Sequence, residues 1–178
     1  ELVDYIAPQV YFSFANPSAP YGEVASWWSG VCRGKDVHLY IGQAFYKVND
    51  NTDRYFTGED AVSEFGRQLK FNASEPGIQG SILFRMKNLS DPGKQQVSDE
   101  ISSRLWAEKA LVPAMPWKGG RAPQKPFGGK LDMFYGSVRI SWLDDDPGTA
   151  YYAVYRFNRG VKPGSNADLE DAVLIGTV

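Results

Sequence analysis

Three short apolar segments, residues 5–12, 37–48 and 80–86, each end in polar or aromatic residues, and the second and third each follow a stretch patterned as a helix. Strands separated by helices call for parallel pairing with right-handed crossovers, because antiparallel neighbours need no helix between them. The pattern is that of the closing strands of a parallel α/β barrel, in which ligand groups collect at the strand C-termini. The residues that close each segment are therefore the ones to weigh.

In Tyr5-Ile6-Ala7-Pro8-Gln9-Val10-Tyr11-Phe12 the alternation sets Ala7, Gln9 and Tyr11 on one face and Ile6, Pro8 and Val10 on the other. This predicts a strand with a helix-covered apolar face and a mixed inner face. Asn16, Pro17 and Pro20 mark a loop. Val24, Trp27, Trp28 and Val31 follow at helical spacing, with both tryptophans expected in the core and Gly34 placed as a C-terminal helix glycine. The second unit repeats the scheme. A β-rich run over 37–48 precedes a polar loop over 49–58, and Ala61, Val62, Phe65 and Leu69 mark a helix whose positive N-terminal end suits Glu59 and Asp60. A third strand over 80–86, a turn at Asp91-Pro92-Gly93 and a helix carrying Val97, Ile101 and Leu105 complete the series.

Beyond this the pattern changes. Pro113, Pro116, Gly119, Gly120, Pro123 and Pro126 crowd a stretch that cannot be helical and reads as an irregular linker packed by Trp117. A boundary near Ala122 divides the chain into residues 1–121 and 122–178. Past it Val138, Ile140 and Trp142 alternate on one strand face, 151–157 is rich in Tyr and Val, and 173–178 is a third short run, so this part reads as all-β. Asp144-Asp145-Asp146-Pro147-Gly148 lacks the spacing of a calcium loop and reads as a solvated turn.

Composition removes several functions. A net charge of -2 gives no basic field for nucleic acid or anionic lipid. The single cysteine, Cys32, cannot form an internal disulfide and reads as a small buried apolar residue. One histidine, His38, opens a strand at the end away from the ligand groups, so a His/Cys zinc site is excluded and no cofactor is called for. No apolar run is long enough to span a membrane. The chain opens at Glu1 without an initiator methionine, as an excised fragment does, so its compartment is not legible in its first residues.

Asp4-Tyr5-Ile6-Ala7-Pro8-Gln9-Val10-Tyr11, Leu39-Tyr40-Ile41-Gly42 with Ala44-Phe45-Tyr46-Lys47-Val48, and Gly80-Ser81-Ile82-Leu83-Phe84-Arg85 resemble, in order and spacing, the glycosyl hydrolase-like 10 family of bacterial proteins. The resemblance implies strands six to eight of a (β/α)8 TIM barrel, covering residues 1 to about 118. It further implies an extracytoplasmic protein, secreted or lipid-anchored, that cuts a cell-envelope polysaccharide of the peptidoglycan type. The part after Ala122 resembles a partial fibronectin type III domain, with Trp142 as its core tryptophan. The family's acidic pair sits on an earlier strand in a motif missing here, so the catalytic carboxylates are expected upstream and the fragment alone is expected to be inactive.

The candidate substrate-binding residues are Gln9, Tyr11, Tyr46 and Arg85. Gln9 and Tyr11 offer an amide, a phenol and a ring for a sugar. Tyr46, in phase with Gly42 and Ala44, is either a pocket or a core aromatic. Arg85 closes an apolar strand, where a buried charge would need an anion, and bidentate geometry suits a carboxylate. Lys47 and Lys87 read as solvated rim charges. A competing reading makes the chain a non-catalytic carbohydrate-binding or scaffolding module. Either way, three strands without the others leave open edges, so self-association through them is expected.

Overall fold

The computed structural model describes residues 2–161 and 172–178. Contacts divide the chain into two compact units, Glu1–Ala107 and Glu108–Val178, so the proline-rich stretch goes with the second unit.

The first unit is a parallel three-stranded sheet in the order β1 (Tyr5–Ile6), β2 (His38–Gln43), β3 (Gly80–Leu83), with α1 (Tyr21–Cys32) and α2 (Gly58–Ser74) as the crossovers. The strands are shorter than their apolar segments. β1 is only two residues because Pro8 has no N–H to give the ladder, although its carbonyl accepts Gly42 N at 2.9 Å and Gln9 still bridges Gly42. β2 ends at Gln43, and Phe45–Lys47 forms a 3-10 turn that drops the Phe45 ring against Phe65. β3 ends at Leu83, and the short helix α3 (Met86–Leu89) begins two residues after Phe84. The expected third helix is broken. A 3-10 turn at Pro92–Lys94 leads into α4 (Gln95–Glu100), which widens into a π turn over Ile101–Leu105.

Two apolar clusters hold this unit. One gathers Val10, Tyr21, Ala25, Cys32, Leu39 and Ile41 between the sheet and α1; the other gathers Phe45, Phe56, Phe65, Leu69, Val97 and Ile101 around α2 and α4. Cys32 is buried as expected, and burial raises its thiol pKa against the smaller lowering by Lys35, which disfavours the thiolate. Gly34, at φ 73°, ends α1 in the left-handed region that glycine adopts freely. Glu59 and Asp60 fall in the first turn of α2. Trp28 packs on the first cluster, but Trp27 is 61% exposed, which corrects the expectation that both indoles are core. Helical spacing marks a stripe without saying which flank of the helix has a neighbour.

The second unit comprises two antiparallel hairpins, β4 (Phe127–Phe134) with β5 (Ser137–Leu143) and β6 (Ala153–Phe157) with β7 (Ala172–Thr177). β4 escaped the sequence reading because Gly128, Gly129, Lys130 and Asp132 interrupt its apolar residues. Trp142 packs edge-on against Tyr152 at 4.9 Å. The acidic turn is not simply solvated. Asp146 is buried, pairs with both terminal nitrogens of Arg121 and accepts Gln124 N and Gly148 N, while Asp144 accepts Asp146 N and the Thr149 and Tyr152 hydroxyls. These bonds hold both carboxyls below the ordinary aspartate range. No helix among the described residues is long and apolar enough to cross a membrane.

Candidate functional site

The registers place one row of residues across the sheet: Gln9 opposite Gly42, and Gly42 opposite Ile82. By the two-residue alternation, Tyr5, Gln9 and Tyr11 share a face with His38, Tyr40 and Gly42 and with Gly80, Ile82 and Phe84. The opposite face carries Val10, Leu39, Ile41 and Gln43 and is covered by helices. The first face is open, with Ile82 41% and Phe84 43% exposed. Gly42 leaves its middle without a side chain, and a Cβ added there would lie 3.1 Å from the Pro8 carbonyl. Below it the Tyr40 ring lies over Gly80, whose added Cβ would meet it at 3.0 Å. The middle of this face, at the buried Gly42, thus carries no side chain, with Tyr40 below it and the exposed Gln9 and Ile82 on either side; we call this stretch the trough.

Three rings close its upper end. Tyr46 stands edge-on to Tyr11 (5.7 Å, 76°) and to Phe84 (6.1 Å, 89°), while Tyr11 and Phe84 are nearly parallel at 6.0 Å. Burial, reinforced by the neighbouring Tyr46 phenol, raises the Tyr11 pKa, so its hydroxyl is a protonated donor at neutral pH. Backbone bonds fix the cluster: Phe84 N donates to the Gln43 carbonyl at 2.9 Å and Tyr46 N to the Phe84 carbonyl at 3.0 Å. Lys47, expected as a solvated rim charge, is half-buried, and its Nζ donates to the Tyr11 carbonyl at 2.8 Å.

Two polar networks hold these strand ends. On the helix side, Gln43 Nε2 donates to Gln68 Oε1 at 3.1 Å. Gln68 Nε2 donates to Glu64 Oε1 at 2.8 Å and to the Phe12 carbonyl at 3.2 Å, and Phe14 N donates to Glu64 Oε1 at 2.8 Å. α2 thus grips the segment just after Tyr11. On the rim, Asn49 sits at φ 57°, receives Gly58 N on Oδ1 and donates Nδ2 to the Gly93 carbonyl at 2.6 Å, while Lys94 Nζ donates to the Val48 carbonyl. The loop after β2 is tied to the turn after β3.

Of the four residues singled out from sequence, Tyr11 and Tyr46 meet directly, and Gln9 lies on the same face, exposed, beside Gly42. Arg85 does not fit the reason given for it. Its side chain is exposed and has no ion pair or hydrogen bond among the described residues, so it is a solvated cation beside Phe84 and not a buried charge in need of a counterion. Phe84 was overlooked as a site residue because it read as the apolar end of a buried strand; its phase with Ile82 was the available signal. The acids that follow β2 and β3 most closely each accept a local bond: Asp50 accepts Thr52 N and its hydroxyl, Asp53 accepts Tyr55 N and Asp91 accepts Gly93 N. Among the described residues, no cluster of three or more His, Cys, Asp or Glu side chains could hold a metal ion.

The residues placed on this face offer aromatic rings, an amide and phenol hydroxyls, and none of them is a carboxylic acid. Residues 1–57 match the family described as Glycosyl hydrolase-like 10. The chain is 38% identical over 160 residues to Glycosyl hydrolase YngK of Bacillus subtilis (strain 168), covering 86% of this chain and 30% of that protein. It is 41% identical over 107 residues to Glycosyl hydrolase DigH of Escherichia coli (strain K12), covering 58% of this chain and 24% of that protein. These matches support the glycosyl hydrolase-like 10 family. The glycosyl hydrolase-like 10 match takes in β1, α1, β2 and the turn carrying Tyr46, and hence Gln9 and Tyr11 but not Phe84 or Arg85. The chain spans less than a third of the length of these relatives. No solved structure matches it.

Proposed function

We propose that this chain forms one wall of the substrate cleft of an extracytoplasmic glycoside hydrolase acting on a cell-envelope glycan of the peptidoglycan type. The first unit is then an arc of a parallel α/β barrel, and the second a fibronectin type III-like module whose role is separate from the chemistry. The observation that carries the reading is the trough: Gln9, Gly42 and Ile82 across its floor and the Tyr11, Tyr46 and Phe84 rings at its head. A pyranose presents apolar C–H faces and a rim of hydroxyls, and this trough offers rings for the first and an amide and two phenols for the second.

Glycoside hydrolysis ordinarily uses two carboxyl groups about 5–5.5 Å apart for retention or about 6.5–9.5 Å apart for inversion. The strand ends here carry Gln9 and Tyr11, Gln43 and Tyr46, and Phe84 and Arg85. The acid pair is accordingly assigned outside this chain, and Tyr11 and Tyr46 orient the sugar ring against it. Arg85, exposed and next in sequence to Phe84, is proposed as the group that meets a carboxylate on the glycan.

The test uses the complete gene product and purified cell-wall glycan. Tyr11→Phe removes one hydroxyl and is expected to lower kcat/KM about tenfold, in line with about 1–1.5 kcal/mol for one hydrogen bond. Arg85→Ala is expected to raise KM while leaving kcat nearly unchanged. Unchanged turnover in both variants would count against the reading. Glycan binding by the second unit alone, with no hydrolysis by the complete protein, would favour a binding or scaffolding module.

A further inference from the structure

Two lysines near the strand ends spend their charge on backbone carbonyls, and they do so in series. Lys94, in the turn after β3, is only 8% exposed, and the one bond its ammonium makes among the described residues is to the Val48 carbonyl, just past the turn that follows β2. Lys47, in that second turn, donates to the Tyr11 carbonyl at 2.8 Å, at the end of the segment that β1 begins. One ammonium thus reaches from the third strand end to the second, and the other from the second to the first.

Stability alone does not account for Lys94. A buried ammonium gives up its hydration, and a single neutral carbonyl returns only part of it. The loop after β2 is already tied to the turn after β3 by a neutral bond, Asn49 Nδ2 to the Gly93 carbonyl at 2.6 Å, and by Val48, Phe56 and Val97 in one apolar cluster. What the ammonium adds is a fixed direction for the Val48 carbonyl. Val48 N donates to the Phe45 carbonyl at 3.2 Å, so holding Val48 holds the end of the 3-10 turn Phe45–Lys47. The same turn is held on its other side by Tyr46 N, which donates to the Phe84 carbonyl at 3.0 Å. Tyr46 stands between these two fixed points, edge-on to Tyr11 and Phe84, and Lys47 passes the constraint on to Tyr11.

We propose that Lys94 and Lys47 are positioning residues, which set the Tyr11, Tyr46 and Phe84 rings at the spacing that receives a pyranose. The proposal rests on the glycan reading above and deepens it by naming what fixes that spacing. The test uses the complete gene product and purified cell-wall glycan. In Lys94→Met the lost bond and the removed buried charge oppose each other, so the melting temperature is expected to stay within about 3 °C of the parent. Hydrogen exchange across residues 45–49 is expected to quicken about tenfold while exchange across α2 is unchanged. The same variant is expected to lower kcat/KM about fivefold. On a Tyr46→Ala background it is expected to change kcat/KM by less than about twofold, because it acts through that ring. If Lys94→Met does not fold, the half-buried Lys47→Met takes its place, with exchange read across residues 9–12. A lowered melting temperature with exchange quickened throughout the first unit makes the lysines merely structural and overturns the proposal. So does unchanged exchange at the turn, or a loss of kcat/KM that persists in full on the Tyr46→Ala background. If Tyr46→Ala alone lowers turnover and the lysine variants do not, only the proposal fails; if Tyr46→Ala leaves turnover unchanged, the glycan reading fails and the proposal with it.

Discussion

Glu64 shows how one buried carboxylate places a strand end that it does not belong to. Only 4% of its side chain is exposed, and Oε1 takes both Phe14 N and Gln68 Nε2. Glu64→Ala leaves Phe14 N without its acceptor and Gln68 Nε2 with only the Phe12 carbonyl, at about 1–3 kcal/mol for each hydrogen kept from water. A loss of about 2 kcal/mol or more is expected in urea unfolding, and Glu64→Gln, which keeps a carbonyl oxygen there, is expected to cost under half as much. Asp146 makes the corresponding case in the second unit. Arg121 above all, then the Gln124 and Gly148 N–H groups, lower its folded pKa below the aspartate range. A lowered folded pKa means stability that is present above the unfolded value of about 3.9 and is lost as pH falls toward the folded one. The β5–β6 connection is therefore expected to loosen below about pH 4, as read by amide exchange across residues 144–149, and Asp146→Asn is expected to flatten that dependence.

At the scale of elements, Gly42 decides what the sheet can hold, because every other position in its row has a side chain. Gly42→Val would push a branched side chain against the Pro8 carbonyl, which a Cβ alone reaches at 3.1 Å, and fill the trough floor. Overpacking of this kind costs about 1–3 kcal/mol, and glycan affinity is expected to fall at the same time. Gly80→Ala, which crowds the Tyr40 ring below the trough, is expected to lower stability while sparing affinity. The sequence made the strand–helix alternation legible, since two-residue and helical periods differ plainly over 5–12 and 21–32, and the parallel order β1-β2-β3 follows from it. It left the strand ends illegible. The turn of Phe45–Lys47 depends on Phe45 finding Phe65 across the fold, and the exposure of Arg85 depends on where β3 stops. Tyr11 and Tyr46 are conspicuous as aromatics at the end of an apolar run, whereas nothing in the helical period over 58–74 marks Glu64 and Gln68 apart from its other polar residues. Both are buried.

For the whole molecule, the open sheet face is the largest consequence of its architecture. Tyr5 is 55%, Ile82 41%, Phe84 43% and Met86 83% exposed on or beside one face of a sheet whose two edges have no partner strand among the described residues. Contiguous apolar surface of this kind drives association, and free parallel edges add backbone donors and acceptors to it. The 178-residue chain is expected to self-associate, its mean mass by light scattering rising with protein concentration. Because the attraction is apolar and the net charge is only -2, added salt should not weaken it. Placing charges on the face, as Ile82→Lys with Phe84→Lys, is expected to return a monomer without unfolding it, since neither side chain belongs to either buried cluster. A parent chain that stays monomeric up to millimolar concentration would mean that Tyr40 and the edge-on rings already shield the face, and the trough would then be a closed surface with no room for a sugar.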